Sequence, residues 1–181
     1  CTNPPPEALV SGMAQGTTYH IKFVLEPHDN NTLREIERQI TAKLDDIDAK
    51  LSNYRDDSEI SKINQNETTE WLAASPELID LLAIAKAVYA KSDGCFDLTV
   101  KSLFDLWGFS RHEPKVPADS AIDALKPHIG MNLLEIDQAA HRLRKLDAKL
   151  KIDLAGIAQG HSVGAIAKLL EAKGIQNYMA E

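Results

Sequence analysis

Three short stretches of this sequence combine residue types that can do chemistry. In "SDGCFDLTVKSLFDLWGF", Ser92 to Phe109, a cysteine and the carboxylates Asp97 and Asp105 stand among Phe96, Phe104, Trp107 and Phe109. Asp97 precedes Leu98-Thr99-Val100, so its carboxylate is either a helix N-cap for the segment after it or a ligand group at the lip of a pocket. The aromatic residues read first as core. In "IDLAGIAQG" an apolar strand ends at Asp153, and a loop holding Gly156 and Gly160 enters a helix. That geometry offers backbone N–H groups and a helix N-terminus to an anion, and a carboxylate at the strand end can take a hydroxyl or a metal beside a phosphate. The spacing is neither G-x-G-x-x-G nor a P-loop, and an ordinary strand–helix turn is an equal reading. In "SGMAQGTTYHI" two glycines flank Met13-Ala14-Gln15 before a strand, where glycine either admits a ligand closely or makes a turn. The histidines form no metal-spaced pair. Asp45-Asp46 and Asp56-Asp57 read as solvated faces.

The elements that must position these residues follow from periodicity. "GTTYHIKFVL" alternates Tyr19, Ile21, Phe23 and Leu25 with polar or small residues, the pattern of a half-buried strand. Ile36, Ile40, Leu44, Ile47 and Leu51 mark one face of a long helix capped by Asn31 or Thr32. "RDDSEISKIN" predicts a short helix capped by Asp57 or Ser58. "SPELIDLLAIAKAVYAKSDG" predicts a helix with Ser75 as N-cap, Pro76 in the first turn and Gly94 near the C-cap. "ADSAIDALKPHIG" is a short helix ended at Pro127. "LLEID", "HRLRKL" and "LKIDL" predict three strands, the first two a hairpin across Gln138-Ala139-Ala140. The helix after the glycine loop carries Val163, Ile166, Ala167 and Leu170, and Gly174 caps it before a last strand. Strands and helices segregate, which favours an α+β fold over a doubly wound sheet.

At 181 residues the chain holds one substantial core, with 44% hydrophobic and 26% charged residues. A net charge of −7 with no basic stripe argues against duplex nucleic acid as a partner. "CTNPPPEALVSG" places Cys1 ahead of a proline triplet, which predicts an extended tether over residues 1–11 and a globular portion over 12–181. Cys1 is expected to be the lipid-bearing residue of a processed bacterial lipoprotein, anchored to a membrane surface without spanning it. With Cys95 the one other cysteine, no internal disulfide is expected. A strand that stops at Glu181 without a turn or polar tail suggests a chain cut inside a larger fold.

The order and wording of the stretches resemble the ApbE family of flavin transferases, periplasmic lipoproteins that attach FMN covalently to other proteins. "MAQGTTYHI" is similar to that family's "AMGTTY" strand. "LSNYRDDSEISKIN" is similar to its Ser-x-Tyr/Trp segment ending in Asn. "SDGCFDLTVKSLFDLWGF" matches its "DGAFDxTVGPLxxLWGFG" signature, and "IDLAGIAQGHSV" its "xDLGGIAKGYAVD" loop. The resemblance runs from about Gly12 to Glu181. It implies a T-fold-like mixed sheet with flanking helices, and transfer of FMN from FAD to a threonine of a target protein, with Mg²⁺ and loss of AMP. The implied partners are flavin-accepting subunits of membrane redox complexes, and the implied place is the periplasm.

Residue by residue, the methionine lining the family's flavin site falls on Gln15, and the aromatic facing the flavin on Tyr54. The trio contacting FAD falls on Cys95, Phe96 and Asp97, the carboxylate of the "DL" pair on Asp153, and the loop lysine or glutamate on Gln159. The residue giving a backbone oxygen to Mg²⁺ falls on Gly156. The opening stretch then becomes a polar lip on an apolar wall, with Leu106 to Phe109 packed beneath. Gln15, Gln159 and Gly164 depart from the family's Met, Lys and Asp. The "GGE"-like turn, the Asp and Thr that ligate Mg²⁺ and the histidine of "SHIxDP" are not among these residues, so the chain as given is expected to be inactive alone. The alternative is a lipid-anchored module that binds FAD or a partner without catalysis.

Overall fold

The computed structural model describes residues 7–25, 29–111 and 113–181, so Cys1 and the proline triplet lie outside the described residues. The elements run β1 (Glu7–Ala14), β2 (Thr17–Val24), α1 (Asn30–Leu51), α2 (Glu59–Gln65), β3 (Leu72–Ala73), α3 (Pro76–Lys91), α4 (Lys101–Leu106), α5 (Asp119–Leu125), β4 (Leu134–Asp137), β5 (Arg142–Lys145), α6 (Ala155–Ala172) and β6 (Tyr178–Ala180). Single 3-10 turns follow α4 and α5 and precede β4. The strands form two antiparallel sheets, ordered β1-β2-β6 and β3-β5-β4. The class is α+β, as expected. The chain divides into two compact units, one of Cys1–Ala49 with Ala158–Glu181, the other of Lys50–Ile157.

In the first unit, β1 and β2 form a hairpin whose register closes at Ala14↔Thr17. The two-residue loop Gln15-Gly16 has φ of 53° and 77°, the doubly left-handed turn that suits the twist of a tight hairpin. Residues 7–11 were expected as tether, but β1 begins at Glu7, so the boundary at residue 11 falls inside a strand. Only Ala8 and Val10 mark its buried face, too few large apolar residues for the alternation to stand out in sequence. The cap of α1 also moves: Asp29 Oδ2 accepts from the Thr32 N–H at 2.9 Å and from Thr32 Oγ1 at 2.6 Å, so Asp29, rather than Asn31 or Thr32, closes that end. Ile36, Ile40 and Leu44 of α1 pack with Val10, Ile21 and Phe23 of the hairpin and with Ile166 and Leu170 of α6. Gly174, at φ 79°, ends α6 as expected; its N–H donates to Glu171 O, and Ile175 N–H to Leu170 O.

In the second unit, Ser58 caps α2 and Ser75 caps α3, each hydroxyl accepting from the third residue on. The Glu59 carboxylate accepts both the N–H and the hydroxyl of Ser75, which ties the start of α2 to the start of α3. β4 and β5 pair as the predicted hairpin. Lys145 of β5 is fully buried, and its ammonium donates to the carbonyls of Ile63, Asn66 and Ala148. It thereby satisfies carbonyls at the C-terminal end of α2 that the helix leaves open. Burial pushes this ammonium below the ordinary lysine range.

The third predicted strand, "LKIDL", is replaced by something less regular. On one side, Val100 and Lys151 form a parallel bridge, and the Asp153 N–H donates to Leu98 O at 2.7 Å. On the other side no strand among the described residues pairs with it. Asn64 instead donates to Ile152 O at 2.8 Å and accepts from the Ile152 N–H at 2.8 Å. Asn53 donates to Ile152 O at 2.9 Å and accepts from the Leu154 N–H at 3.0 Å. Two amide side chains thus present the donor and acceptor pairs of a neighbouring backbone. Asn64 sits on the apolar face of α2 beside Ile60 and Ile63, and is itself buried. Asn64→Leu, close in size but unable to bond, is expected to destabilise the protein by about 2–4 kcal/mol because it strands a buried N–H and weakens a buried carbonyl's pairing. Thermal or urea unfolding measures this, and a loss within error of zero would show that the amide is dispensable.

Candidate functional site

The Asn-held segment delivers Asp153 to the start of α6. Its Oδ1 accepts from the Ala155 N–H at 2.8 Å, turning the chain into the helix. The sequence predicts a glycine loop here, but α6 already begins at Ala155, so Gly156 and Gly160 are helical. Gly156 is there for closeness rather than for a turn: a Cβ at this position would lie 3.4 Å from Phe96 Cε2. The ring of Phe96 therefore rests on the first turn of α6.

Asp97 follows that ring. Its Oδ1 accepts from the Thr99 N–H at 2.7 Å and from the Thr99 hydroxyl at 2.6 Å, and Thr99 Oγ1 in turn accepts from the Gly130 N–H at 2.6 Å. Asp97 is not the cap of α4, whose N-cap Val100 has no side-chain bond. It builds the same local turn as Asp153, a carboxylate oxygen on the N–H two residues ahead. Each acid keeps its second oxygen free of hydrogen bonds among the described residues. The Asp153–Leu98 backbone bond and the Phe96–Gly156 contact bring Phe96, Asp97, Asp153 and Gly156 into one group. Cys95 borders it, exposed and unpaired with another cysteine. Tyr54 is 67% exposed on a loop pinned by Ser52, whose Oγ accepts the Tyr54 N–H and whose carbonyl accepts the Ser58 hydroxyl.

The rest of the opening stretch departs from expectation. Phe104 and Phe109 are 42% and 50% exposed, so they do not pack beneath the acids; they contact each other at 5.6 Å between centroids, and Phe109 stacks on Trp107 at 6.5 Å. A six-residue helix followed by a 3-10 turn is too short to bury all its faces. Asp105 is held by Lys101 at 2.6 Å and by Ser110. Burial pushes its carboxyl upward, but those bonds outweigh burial and keep it below the usual aspartate range.

Gln15 and Gln159 lie in the first unit, on the wall of a cavity of about 310 Å³ that Tyr19, Leu44 and Ile166 also line. Gln15 donates to Ser162 Oγ. Gly164 lies on an open face of α6, where a Cβ would meet nothing within 4 Å. Sequence reasoning missed Asn53, Asn64, Thr99 and Ser162. An asparagine on an apolar helix face was the one signal that could have found Asn64.

The acids and the helix start suit particular ligands. A first turn has N–H groups without intrahelical partners, which favours anions. Two carboxylates beside it repel a bare phosphate unless a cation or a hydroxyl donor stands between. Phe96, the free carboxylate oxygens and the bare Gly156 backbone fit an aromatic ligand carrying phosphate and hydroxyl groups. Magnesium is served less well. Among the described residues no group of three or more His, Cys, Asp or Glu side chains could hold a metal ion, and Gly156 offers only a backbone oxygen. Mg²⁺ demands near-octahedral oxygen ligation, which these residues do not complete.

The chain is similar in sequence and fold to known flavin transferases. The FAD:protein FMN transferase of Vibrio cholerae is 34% identical over 185 residues, covering 100% of this chain and 54% of that protein. Its namesake from Haemophilus influenzae is 32% identical over 177 residues, covering 95% and 51%. The solved flavin transferase ApbE of Vibrio cholerae superposes with a TM-score of 0.91 at 34% identity, over 98% of this chain and 57% of that one. The Pseudomonas stutzeri flavinyl transferase ApbE, in its apo form, gives 0.88 at 30% identity, over 97% and 56%. The chain thus spans about half the length of the curated relatives it matches. The model of the ApbE family matches residues 15–181, and with the shared fold this places the chain in the ApbE family.

Proposed function

We propose that this chain forms one wall of an FAD:protein FMN transferase site. The observation that carries the proposal is the group made by Phe96, Asp97, Asp153 and Gly156, where two acids with one free oxygen each meet a helix start and an aromatic ring. The residues proposed to contact FAD are Gln15, Tyr54, Cys95, Phe96, Asp97, Asp153 and Gln159. The reaction is attack by a threonine hydroxyl of a target protein on the FMN-side phosphorus of FAD. The oxygen–phosphorus bond to the FMN side forms, the pyrophosphate bridge breaks, AMP leaves, and the threonine proton passes to a base or solvent. The residues in hand orient the dinucleotide and screen its reacting end. Mg²⁺, proposed as the partner of the pyrophosphate, would supply charge neutralisation with Gly156 as one backbone ligand. Further ligands and a catalytic histidine would come from the part of the relatives' length that this chain does not span. Targets are proposed to be flavin-accepting subunits of membrane redox complexes, met in the periplasm by an enzyme held to the membrane through lipid on Cys1.

Both acids already serve local turns, so alanine would confuse ligand loss with turn loss. Asparagine keeps the turn and removes the charge. Asp97→Asn and Asp153→Asn in the full-length protein should each weaken FAD binding by about 1.5–3 kcal/mol, the worth of a hydrogen bond to a charged group. Flavin fluorescence titration reads this, and unchanged affinity in both variants would remove the acids from the site.

Catalysis is the second test. Full-length protein with FAD, Mg²⁺ and an acceptor domain bearing the target threonine should add an FMN-sized mass to that domain. Residues 1–181 alone should add none, since phosphoryl transfer depends on metal and donors placed together. An FMN adduct formed by the 181 residues alone would show that the catalytic groups lie within them. A stop codon directly after Glu181 would favour the non-catalytic module instead.

Membrane attachment is the third. Several acyl chains anchor stably where one does not, so the precursor should fractionate with membranes through Cys1. If Cys1→Ala still pellets with membranes after a salt wash, the lipoprotein proposal is wrong.

A further inference from the structure

The cavity of the first unit holds a polar pair where the family motifs quoted above are apolar. Gln15 stands in place of Met in "AMGTTY", and Ser162 in place of Ala in "GYAVD". Ser162 is 6% exposed in α6, and its hydroxyl donates to Ala158 O, one turn back, at 2.9 Å. A hydroxyl has one proton, so Ser162 Oγ has only lone pairs left for Gln15 and must accept from its Nε2. Amide orientation follows from the hydrogen-bond network, and with the Ser162 proton on Ala158 O the network selects this one. The NH₂ faces Ser162, and Oε1 has no hydrogen-bond partner among the described residues. Much of the cavity wall around it is apolar, with Ile21, Leu44, Val163 and Ile166, while Thr17, Thr18, Gln159 and Glu181 also line it.

The backbone adds a second observation. Gln15 has φ 53°, a left-handed conformation that disfavours a residue with a Cβ. Asn or Gly suits the first position of such a turn better. A longer amide at a strained position points to work done by the side chain rather than by the turn.

The geometry points to Ser162 as a positioning residue that fixes the Gln15 amide with its carbonyl oxygen free for the cavity, selecting a planar heterocycle that presents an N–H donor. This rests on the flavin-transferase reading, because FAD offers that chemistry twice: the imide N–H of the flavin ring and the exocyclic amino group of adenine. A methionine sulfur accepts hydrogen bonds weakly, so the Gln–Ser pair turns a non-directional contact into a directional one.

The test is a double-mutant cycle in the full-length protein with FAD, FMN, ADP and two blocked probes: FMN methylated on the imide nitrogen and ADP dimethylated on the exocyclic amine. Ser162→Ala installs the residue of the family motif, and its unfolding midpoint checks that the fold is kept. Ser162→Ala and Gln15→Met should each weaken FAD binding about five- to tenfold, and the double variant should be no weaker than Gln15→Met alone. Whichever of FMN and ADP shows the Ser162→Ala loss identifies the ring, and its blocked form should bind wild type and Ser162→Ala alike. An undiminished Ser162→Ala loss in the Gln15→Met background, or an equal loss for the blocked probe, overturns the proposal. So does equal FAD binding by wild type and Ser162→Ala, which leaves the flavin reading intact. If wild type binds none of FAD, FMN and ADP, both fall.

Discussion

Four hydrogen bonds between two asparagines and the backbone of Ile152 and Leu154 are the constraint on which the second unit depends. A buried extended segment must find partners for its N–H and C=O groups, and a missing partner costs about as much as a lost hydrogen bond. An ordinary sheet would supply a second strand. Here Leu98 and Val100 serve one edge, and side-chain amides serve the other. The substitution has a geometric consequence. A side chain reaches the segment from a helix or a loop, so α2 and the loop before it take the space a strand would have occupied.

What this positions is the start of α6. Asp153 cannot shift along its own axis without breaking the bonds on either side of it, and the acid therefore enters the helix at one fixed point. Asp97 is fixed by a separate chain running through Thr99 to Gly130. Each acid spends one oxygen on its own turn and leaves the other open. That division answers the choice the sequence posed for Asp97 between a local backbone role and a ligand role, since one carboxylate does the first and remains equipped for the second. The bare backbone of Gly156 lets Phe96 close on the same turn. Lys145, fully buried, completes the frame by serving the carbonyls of Ile63 and Asn66 that the end of α2 leaves open.

The departures from the family pattern are of unequal weight. Gly164 points into open space and perturbs nothing around it. Gln159 lacks the charge of a lysine and lies exposed on α6, so its effect is confined to the field near a ligand. Gln15 is different, because it is bonded to a buried hydroxyl that is itself a departure. Two changes that each look unfavourable on an apolar wall become one hydrogen-bonded pair when they face each other, with the Gln15 carbonyl oxygen left for the cavity.

The sequence by itself determined the elements whose signals are local. Helix caps at Ser58 and Ser75, the face of α1, the β4–β5 hairpin and the glycine stop of α6 were all legible, because each rests on residues within a few positions of one another. The motif wording also identified the family. Tertiary structure decided everything carried by distant partners. β1 is a strand because β2 and the core cover Ala8 and Val10. "LKIDL" is not a regular strand because Asn53 and Asn64, about ninety to a hundred positions away, occupy its edge. The glycine stretch after Asp153 is helix because a carboxylate turn starts it early. Phe104 and Phe109 are exposed because a short α4 has too few faces to bury them. In each case the local pattern was compatible with two outcomes, and the energy of a long-range contact chose between them.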